Sequence, residues 1–206
     1  INLREQLTEL KAQQGYEERQ FWYQDIVNGS FSSDTDWSKE SGWSIGSGVA
    51  TYAPNTGREL SQKIDVIAGQ KYKVTYSVTS ITAGAIGVYS PDSDRSSAVY
   101  EGVGAATYTV YMTARSSFMN VIFRTISTSS NLSIDNVSVV SVDANGDVVH
   151  RLLKGWKPKD VFEDGLLQRE GAAHDYEVVY DGFDYYVKPA VAPSATTQTC
   201  VIGVRA

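Results

Sequence analysis

Residues 61–78, which read SQKIDVIAGQKYKVTYSV, constrain the fold more than any other stretch. In their second half, apolar side chains alternate one by one with polar side chains. The apolar set is Tyr72, Val74, Tyr76 and Val78, and the polar set is Lys71, Lys73, Thr75 and Ser77. A period of two places the two sets on opposite faces of a β-strand. The stretch therefore predicts two antiparallel strands around the tight connection Ala68-Gly69-Gln70, with one face buried against a second sheet.

Similar short runs follow one another along the middle of the chain, with turn signals between them. We expect strands near residues 43–45, 49–52, 85–89, 107–113, 119–124 and 132–139. Thirteen Tyr and only five Pro also favour strands over helices. Strands at this spacing, with no helix between them, are typical of a sandwich or jelly roll. The predicted fold class is mainly β, with an antiparallel β-sandwich or jelly roll over residues 28–142.

Residues 1–27 show a different pattern. Leu3, Leu7 and Leu10 are spaced by four and three, and good helix formers fill the positions between them. We predict an N-terminal α-helix, too short to be stable alone. It either docks on its own domain or bundles with copies of itself, and the second alternative is slightly favoured.

Residues 143–206 are predicted to form a hairpin followed by a small C-terminal β domain. Asn145-Gly146, between two Val-rich runs, is a strong hairpin signal. Asp143, Asn145 and Asp147 are also spaced like the start of a calcium loop. The sixth loop position holds Val148 instead of Gly, and the twelfth holds Lys154 instead of Glu. The hairpin interpretation is therefore favoured.

Composition and motifs argue against several functions. The net charge of −6 and pI near 4.9, without a Lys/Arg cluster, exclude a non-specific nucleic-acid binder. No stretch approaches the roughly 20 apolar residues of a membrane span.

The chain has one Cys and two His, and it lacks a nucleophile elbow and a phosphate-binding loop. We therefore expect no enzymatic activity. A hydrolase would need a carboxylate pair, and the choices are Asp34, Asp36, Asp92, Asp94 and Asp135. The first four lie in Ser-rich loops, where solvated acids are expected.

Aromatic side chains are the candidates for binding. The six candidates within residues 28–142 are Trp37, Trp43, Tyr52, Tyr89, Tyr100 and Tyr111. Aromatic rings exposed on a sheet can stack on sugar rings, whereas buried rings simply fill the core, and half or more are expected to do so. Trp43 and Tyr89 are the predicted sugar-binding residues.

Several motifs in residues 28–139 resemble carbohydrate-binding modules of the CBM4/9 type, which are jelly rolls. They are Asn28-Gly29-Ser30-Phe31, Gly42-Trp43, residues 61–64 with 68–72, and Ile134-Asp135-Asn136-Val137. The resemblance implies a structural calcium ion, for which Asp135 is the expected ligand and no other cofactor is expected. Ser32 replaces the Glu that is frequent in the family, and a turn-capping role for Asp135 is the alternative.

The C-terminal part is similar to a short β repeat of bacteriophage tail-fibre and other virion proteins. The similarity lies in residues 161–167, Asp175-Tyr176, Tyr180-Asp181-Gly182, residues 191–193 and residues 201–204. It implies a non-enzymatic structural protein of a tailed phage virion, such as a fibre, fibre adaptor or capsid-surface protein. The expected partners are further copies in a homotrimer, other virion proteins and host-surface glycans. The alternative is a carbohydrate-binding module of a carbohydrate-active enzyme.

Overall fold

A computed structural model describes residues 18–23, 26–151, 156–163, 166–168, 170, 175–180, 185–190 and 199–205. Within these ranges the chain is all β, with antiparallel sheets and no helix. The fold class predicted with a leading helix is therefore wrong. Glu18–Tyr23, inside the predicted helix, is a strand that pairs along its whole length with a strand near the C-terminus. Residues 1–17 of the predicted helix lie outside the described residues.

The described strands are numbered in chain order. They are β1 (Glu18–Tyr23), β2 (Ser38–Lys39), β3 (Trp43–Gly46), β4 (Val49–Tyr52), β5 (Glu59–Asp65), β6 (Lys71–Ala83), β7 (Ile86–Tyr89), β8 (Val99–Gly102), β9 (Ala106–Thr113), β10 (Phe118–Thr125), β11 (Asn131–Val142), β12 (His150–Arg151), β13 (Trp156–Glu163), β14 (Leu166–Leu167), β15 (Tyr176–Tyr180), β16 (Tyr185–Pro189) and β17 (Thr199–Arg205). The chain divides into two compact units, Asp25–Gly146 and a unit made of Ile1–Gln24 with Asp147–Ala206.

The unit Asp25–Gly146 is a sandwich of two five-stranded sheets. One sheet has the order β2-β5-β10-β7-β8, and the other has the order β3-β4-β11-β6-β9. Side chains from both sheets share one core, as the alternation of inward and outward residues requires. In β6 the predicted apolar face, from Tyr72 to Val78, is buried at every second residue. The prediction from residues 71–78 is thus confirmed for this strand. The predicted pairing with the preceding strand is wrong, because β5 and β6 lie in different sheets.

The centre of this core is aromatic. The Trp37 ring packs between the rings of Phe31 and Phe123, with centroids 5.3 Å and 6.1 Å away. Phe123 also meets Tyr76 edge to face at 5.1 Å. Burying each large side chain stabilises the fold by about 1.5–3 kcal/mol. Successive side chains of a strand point to opposite faces, so the buried residues determine which side chains lie on the outer face of each sheet.

The second unit contains a four-stranded sheet, β1-β17-β13-β14, and a three-stranded sheet, β12-β16-β15. Val161, Tyr176, Val187 and Val201 form its small described core. A turn is present at Asn145-Gly146. The hairpin predicted there stays a prediction, and the described pairings of its flanking strands are β11 with β4 and β6, and β12 with β16. No helix in the described part of the chain is long and apolar enough to cross a membrane.

Candidate functional site

The structure assigns five of the six aromatic candidates to the core or to an outer face, and the sixth, Tyr100, is half-buried on the edge strand β8. Trp37, Trp43 and Tyr52 are core residues, exposed by 7%, 6% and 0%. The Trp43 ring packs on the Tyr52 ring at a centroid distance of 5.5 Å. Trp43 therefore presents almost no ring surface on which a sugar could stack. Its assignment as a sugar-binding residue stays a prediction that the geometry does not favour.

Tyr89, in contrast, points outward from the sheet β2-β5-β10-β7-β8. Its neighbours Ile86 and Val88 on β7 are fully buried, so Tyr89 lies on the opposite face. The register pairs Ile122 on β10 with Tyr89 on one side and with Ser61 on β5 on the other. Ser61, Ile122 and Tyr89 thus form a row across three strands. This row is a half-buried strip that combines a hydroxyl, an aliphatic side chain and an aromatic ring.

The adjacent row on this outer face is charged. Glu59, Arg124 and Gly87 lie opposite one another on β5, β10 and β7. The Tyr89 hydroxyl donates to Glu59 Oε1 over 2.9 Å, and Arg124 Nη1 lies 3.6 Å from the same oxygen. Burial raises the pKa of the Tyr89 hydroxyl, and the hydrogen bond to Glu59 raises it further. The hydroxyl therefore stays protonated at neutral pH and holds the ring in place.

Gly87 lies beside Tyr89 on the outer face of β7, where the backbone of β8 covers it. It occupies the position two residues earlier on the same strand face, where any other residue would place a side chain beside the ring. A Cβ at Gly87 would lie 2.3 Å from the carbonyl oxygen of Val99 on the edge strand β8. Glycine is thus required by the close approach of β8. One consequence is that residue 87 contributes no side chain to cover the ring.

A third row supplies further polar groups. Asn120 on β10 lies opposite Lys63 on β5. The Asn120 side chain donates to Asp92 Oδ2 over 3.0 Å, and its backbone N–H reaches the same oxygen over 3.3 Å. Lys63 Nζ lies 4.3 Å above the ring centroid of Phe118, within the range of a cation–π contact. We call these three rows together the Tyr89 face: Ser61, Ile122, Tyr89, Glu59, Arg124, Gly87, Lys63 and Asn120.

The loop carboxylates considered for catalysis have structural partners. Asp92 accepts hydrogen bonds from Asn120, as described, and Asp94 Oδ1 accepts the backbone N–H of Thr113 over 2.7 Å. Asp34 forms an ion pair with Lys39, and Asp36 Oδ2 accepts the Thr35 hydroxyl over 2.6 Å. Each of these acids therefore fixes a loop.

The outer face of the other sheet has a different character. Cross-strand registers place short hydroxyl side chains side by side, and the set is Thr51, Thr75, Ser77, Thr107, Thr109, Ser133 and Ser138. Ser77 and Thr107 share a hydrogen bond of 3.0 Å. Tyr111, exposed by 45%, is the aromatic residue of this face, and Lys71 Nζ lies 4.6 Å above its ring centroid. An ammonium group therefore occupies one side of the Tyr111 ring.

Asp135, the predicted calcium ligand, lies on β11 beside Asn136, whose φ is 52°. Its Oδ1 accepts the backbone N–H of the next residue, Asn136, over 2.6 Å. Among the described residues, no group of three or more His, Cys, Asp or Glu side chains is placed to hold a metal ion. A calcium ion at Asp135 stays a prediction, and no function is derived from it.

Comparisons with known proteins find only distant structural likenesses. No protein-family model matches the chain, and no curated protein matches it either. A solved CBM4 structure matches 60% of this chain and 86% of its own, at 15% identity and a TM-score of 0.37. The adhesin domain of Epf from Streptococcus pyogenes matches 84% of this chain and 80% of its own, at 10% identity and a TM-score of 0.38. At these low scores neither likeness identifies a ligand, a partner or a bacteriophage origin for this chain.

Proposed function

We propose that this chain is a non-catalytic binding protein that holds a glycan on the Tyr89 face. The observation that carries the proposal is the Tyr89 ring, held outward beside Ile122 and next to the Glu59–Arg124 row. The C–H face of a sugar ring packs on an aromatic ring, whose apolar body and polar hydroxyl suit such a contact. A carboxylate accepts hydrogen bonds from sugar hydroxyls, and a guanidinium donates to them. The face offers all three kinds of contact within two adjacent rows.

We further propose a setting for this binding activity, a structural or attachment protein of a tailed phage virion that contacts host-surface glycans. Support comes from the C-terminal sequence pattern, with Asp175-Tyr176 and Tyr180-Asp181-Gly182, that is similar to phage virion repeats. In this setting the chain assembles with copies of itself, as a homotrimer, and with other virion proteins. The alternative is a binding module of a carbohydrate-active enzyme, for which the Tyr89 face would serve equally well.

A glycan array followed by titration calorimetry tests the binding proposal. For the best glycan, Tyr89→Ala should weaken binding at least about tenfold, which corresponds to about 1.4 kcal/mol. Tyr111→Ala is the matched control, because it removes an exposed tyrosine from the opposite sheet and should leave the affinity unchanged. Full affinity of Tyr89→Ala, or loss on Tyr111→Ala alone, would overturn the assignment of the site.

A separate experiment tests the setting. Antibodies raised against the full chain should label purified particles of the phage that encodes it. Light scattering of the purified chain should give the mass of a trimer. Labelling confined to a secreted carbohydrate-active enzyme would favour the alternative. Because the glycan measurements use the isolated chain, their outcome does not depend on this result.

A further inference from the structure

The sequence contains two Asn-Gly pairs, Asn28-Gly29 and Asn145-Gly146. In such a pair the backbone nitrogen of Gly can attack the side-chain carbonyl of Asn, because Gly has no Cβ to hinder the approach. The reaction requires a free side-chain amide and a backbone that can rearrange. Sequence alone gives the two pairs the same reactivity, whereas the structure places them in opposite environments.

The Asn145-Gly146 pair lies in an exposed turn. Asn145 is exposed, and within the described part of the chain its side-chain amide makes no hydrogen bond. The turn is held by two bonds to Asp143: its Oδ1 accepts the Asn145 N–H over 2.8 Å, and its carbonyl oxygen accepts the Gly146 N–H over 3.1 Å. Only the second of these bonds must open before the Gly146 nitrogen can react. A Cβ at Gly146 would meet its nearest neighbour, the Tyr111 hydroxyl, at an ordinary 3.5 Å.

The Asn28-Gly29 pair is fixed by the fold. Asn28 Nδ2 donates to the carbonyl oxygens of Ser33 and Thr35 over 2.7 Å and 3.1 Å, which locks the side-chain amide. Gly29 is pressed against β11, since a Cβ there would lie 2.0 Å from the carbonyl oxygen of Val137. A ring formed between residues 28 and 29 would break the amide contacts and displace this backbone. The native fold therefore opposes the reaction at this pair.

We propose that Asn145 is a site of spontaneous deamidation and that the fold protects Asn28 from the same reaction. The Gly146 nitrogen loses its proton to solvent and forms a bond to Asn145 Cγ. The bond from Cγ to the amide nitrogen then breaks, and ammonia leaves. Water opens the resulting succinimide ring at either carbonyl and gives aspartate or β-linked isoaspartate. The balance is one water consumed and one ammonia released, with no oxidant, reductant or cofactor.

The position gives the modification a structural consequence. Gly146 is the last residue of the unit Asp25–Gly146, and Asp147 is the first residue of the following segment of the other unit. Deamidation adds a negative charge between Asp143 and Asp147, and isoaspartate also adds one backbone atom to the connection. The modification therefore changes the covalent link between two compact units while leaving both cores intact. This inference is independent of glycan binding.

Peptide mapping by mass spectrometry tests the proposal on the full chain, aged in mildly alkaline buffer at physiological temperature. Trypsin separates the two pairs into residues 20–39 and 125–151, and Asn131 and Asn136 in the second peptide are internal controls. Asn145 should deamidate at least about tenfold faster than Asn28. In denaturant the two sites should react at similar rates. The Asn145→Gln variant should show no mass gain at this position.

Two results would overturn the proposal. One is equal deamidation of Asn28 and Asn145 in the native chain. The other is an Asn145 that stays unmodified in the native chain while it reacts in denaturant, which would show that the turn protects it.

Discussion

The backbone N–H of Val137 donates to the carbonyl oxygen of Gly29 over 2.9 Å. This bond joins the segment that precedes β2 to the middle of β11, so it links the two ends of the sandwich sequence. A Cβ at Gly29 would lie 2.0 Å from the Val137 carbonyl oxygen and 3.2 Å from Ile26 Cγ2. The first contact is with backbone, which cannot rotate away. The approach of the two segments thus depends on glycine at position 29.

Gly29→Ala should therefore lower the free energy of unfolding by about 3 kcal/mol or more, because β11 or the opening segment must shift. Urea unfolding followed by tryptophan fluorescence measures the change. Gly46→Ala is the control, since a Cβ there meets nothing within 4 Å. It should be neutral or stabilising by up to about 1 kcal/mol. Equal stability of the two variants would contradict this explanation of Gly29.

Gln62 makes a testable contribution on β5, in the other sheet of the sandwich. It is 7% exposed, its Oε1 accepts the Val27 N–H over 2.8 Å, and its Nε2 donates to the carbonyl oxygens of Val27 and Asp36 over 2.9 Å and 3.1 Å. In Gln62→Glu a carboxylate oxygen would face both carbonyl oxygens. Burial and these oxygens should raise the pKa of the new carboxyl above its ordinary value. The variant should lose about 3 kcal/mol of stability at neutral pH and regain part of it as the pH falls through the raised pKa toward about 4.3, the ordinary value of Glu.

The comparison with Gln62→Leu isolates the charge. This variant also loses the three hydrogen bonds, but it introduces no titratable group, so its loss of stability relative to the parent should not change with pH. Urea unfolding at neutral and mildly acidic pH distinguishes the two variants. A pH-independent loss for Gln62→Glu would show that the site reorganises to hydrate the carboxylate.

Local alternation predicted the core strand but could not predict the N-terminal strand. Tyr72 to Val78 carry their own signal, because adjacent residues differ in polarity. Glu18–Tyr23 has no such alternation and pairs with Thr199–Arg205 at the far end of the sequence. The spacing of Leu3, Leu7 and Leu10, which precede it, favoured a helix. The strand instead depends on pairing with a distant segment, and a prediction from neighbouring residues alone does not include that pairing.

The Tyr89 face was only partly predictable for a related reason. Tyr89 follows four residues, 85–88, that are all buried. Gly87 is on the outer side of the strand but has no side chain, so the sequence shows no polar residue where alternation would place one. Trp43, on a short strand with Ser44 and Ile45, gave no clearer sign of its direction. Cross-strand register, which places Ile122 and Glu59 beside Tyr89, is a property of the assembled sheet. Sequence therefore identified Tyr89 as a candidate but not its neighbours.

His150 should make the stability of its unit depend on pH. Burial lowers the pKa of its imidazole from 6.5 to about 4. Above pH 6.5 the imidazole is neutral in both the folded and the unfolded chain, and it imposes no penalty. Between 6.5 and about 4 only the unfolded chain binds the proton. Stability should therefore fall by up to about 1.4 kcal/mol for each pH unit in this window.

Denaturant unfolding of the parent chain and of His150→Gln, over this pH window, measures the effect. The variant should lose the part of the pH dependence that the imidazole contributes, while the carboxylates of both chains titrate alike. Identical pH profiles for the two proteins would mean that the His150 imidazole binds its proton equally well in the folded and the unfolded chain, and would contradict the lowered pKa.

Tyr76 and Tyr108 form a matched pair for the last prediction. Their rings stack at 5.5 Å. The Tyr76 hydroxyl is fully buried and has no hydrogen-bond partner among the described residues. The Tyr108 hydroxyl donates to the Gly104 carbonyl oxygen over 2.9 Å and accepts the Gly104 N–H over 3.1 Å. Removing the first hydroxyl deletes an unpaired polar group, whereas removing the second deletes two hydrogen bonds.

Tyr76→Phe should therefore raise the free energy of unfolding by about 1 kcal/mol, and Tyr108→Phe should lower it by about 1–2 kcal/mol. Both variants keep the stacked rings, so the difference between them reports only on the hydroxyl groups. Urea unfolding of the two variants and the parent gives the three values. A loss of 1 kcal/mol or more for Tyr76→Phe, roughly the value of one hydrogen bond, would show that its hydroxyl is bonded in solution. Burial also raises the pKa of Tyr76 above its ordinary value, so the comparison holds at any pH where the chain is folded and its tyrosines are neutral.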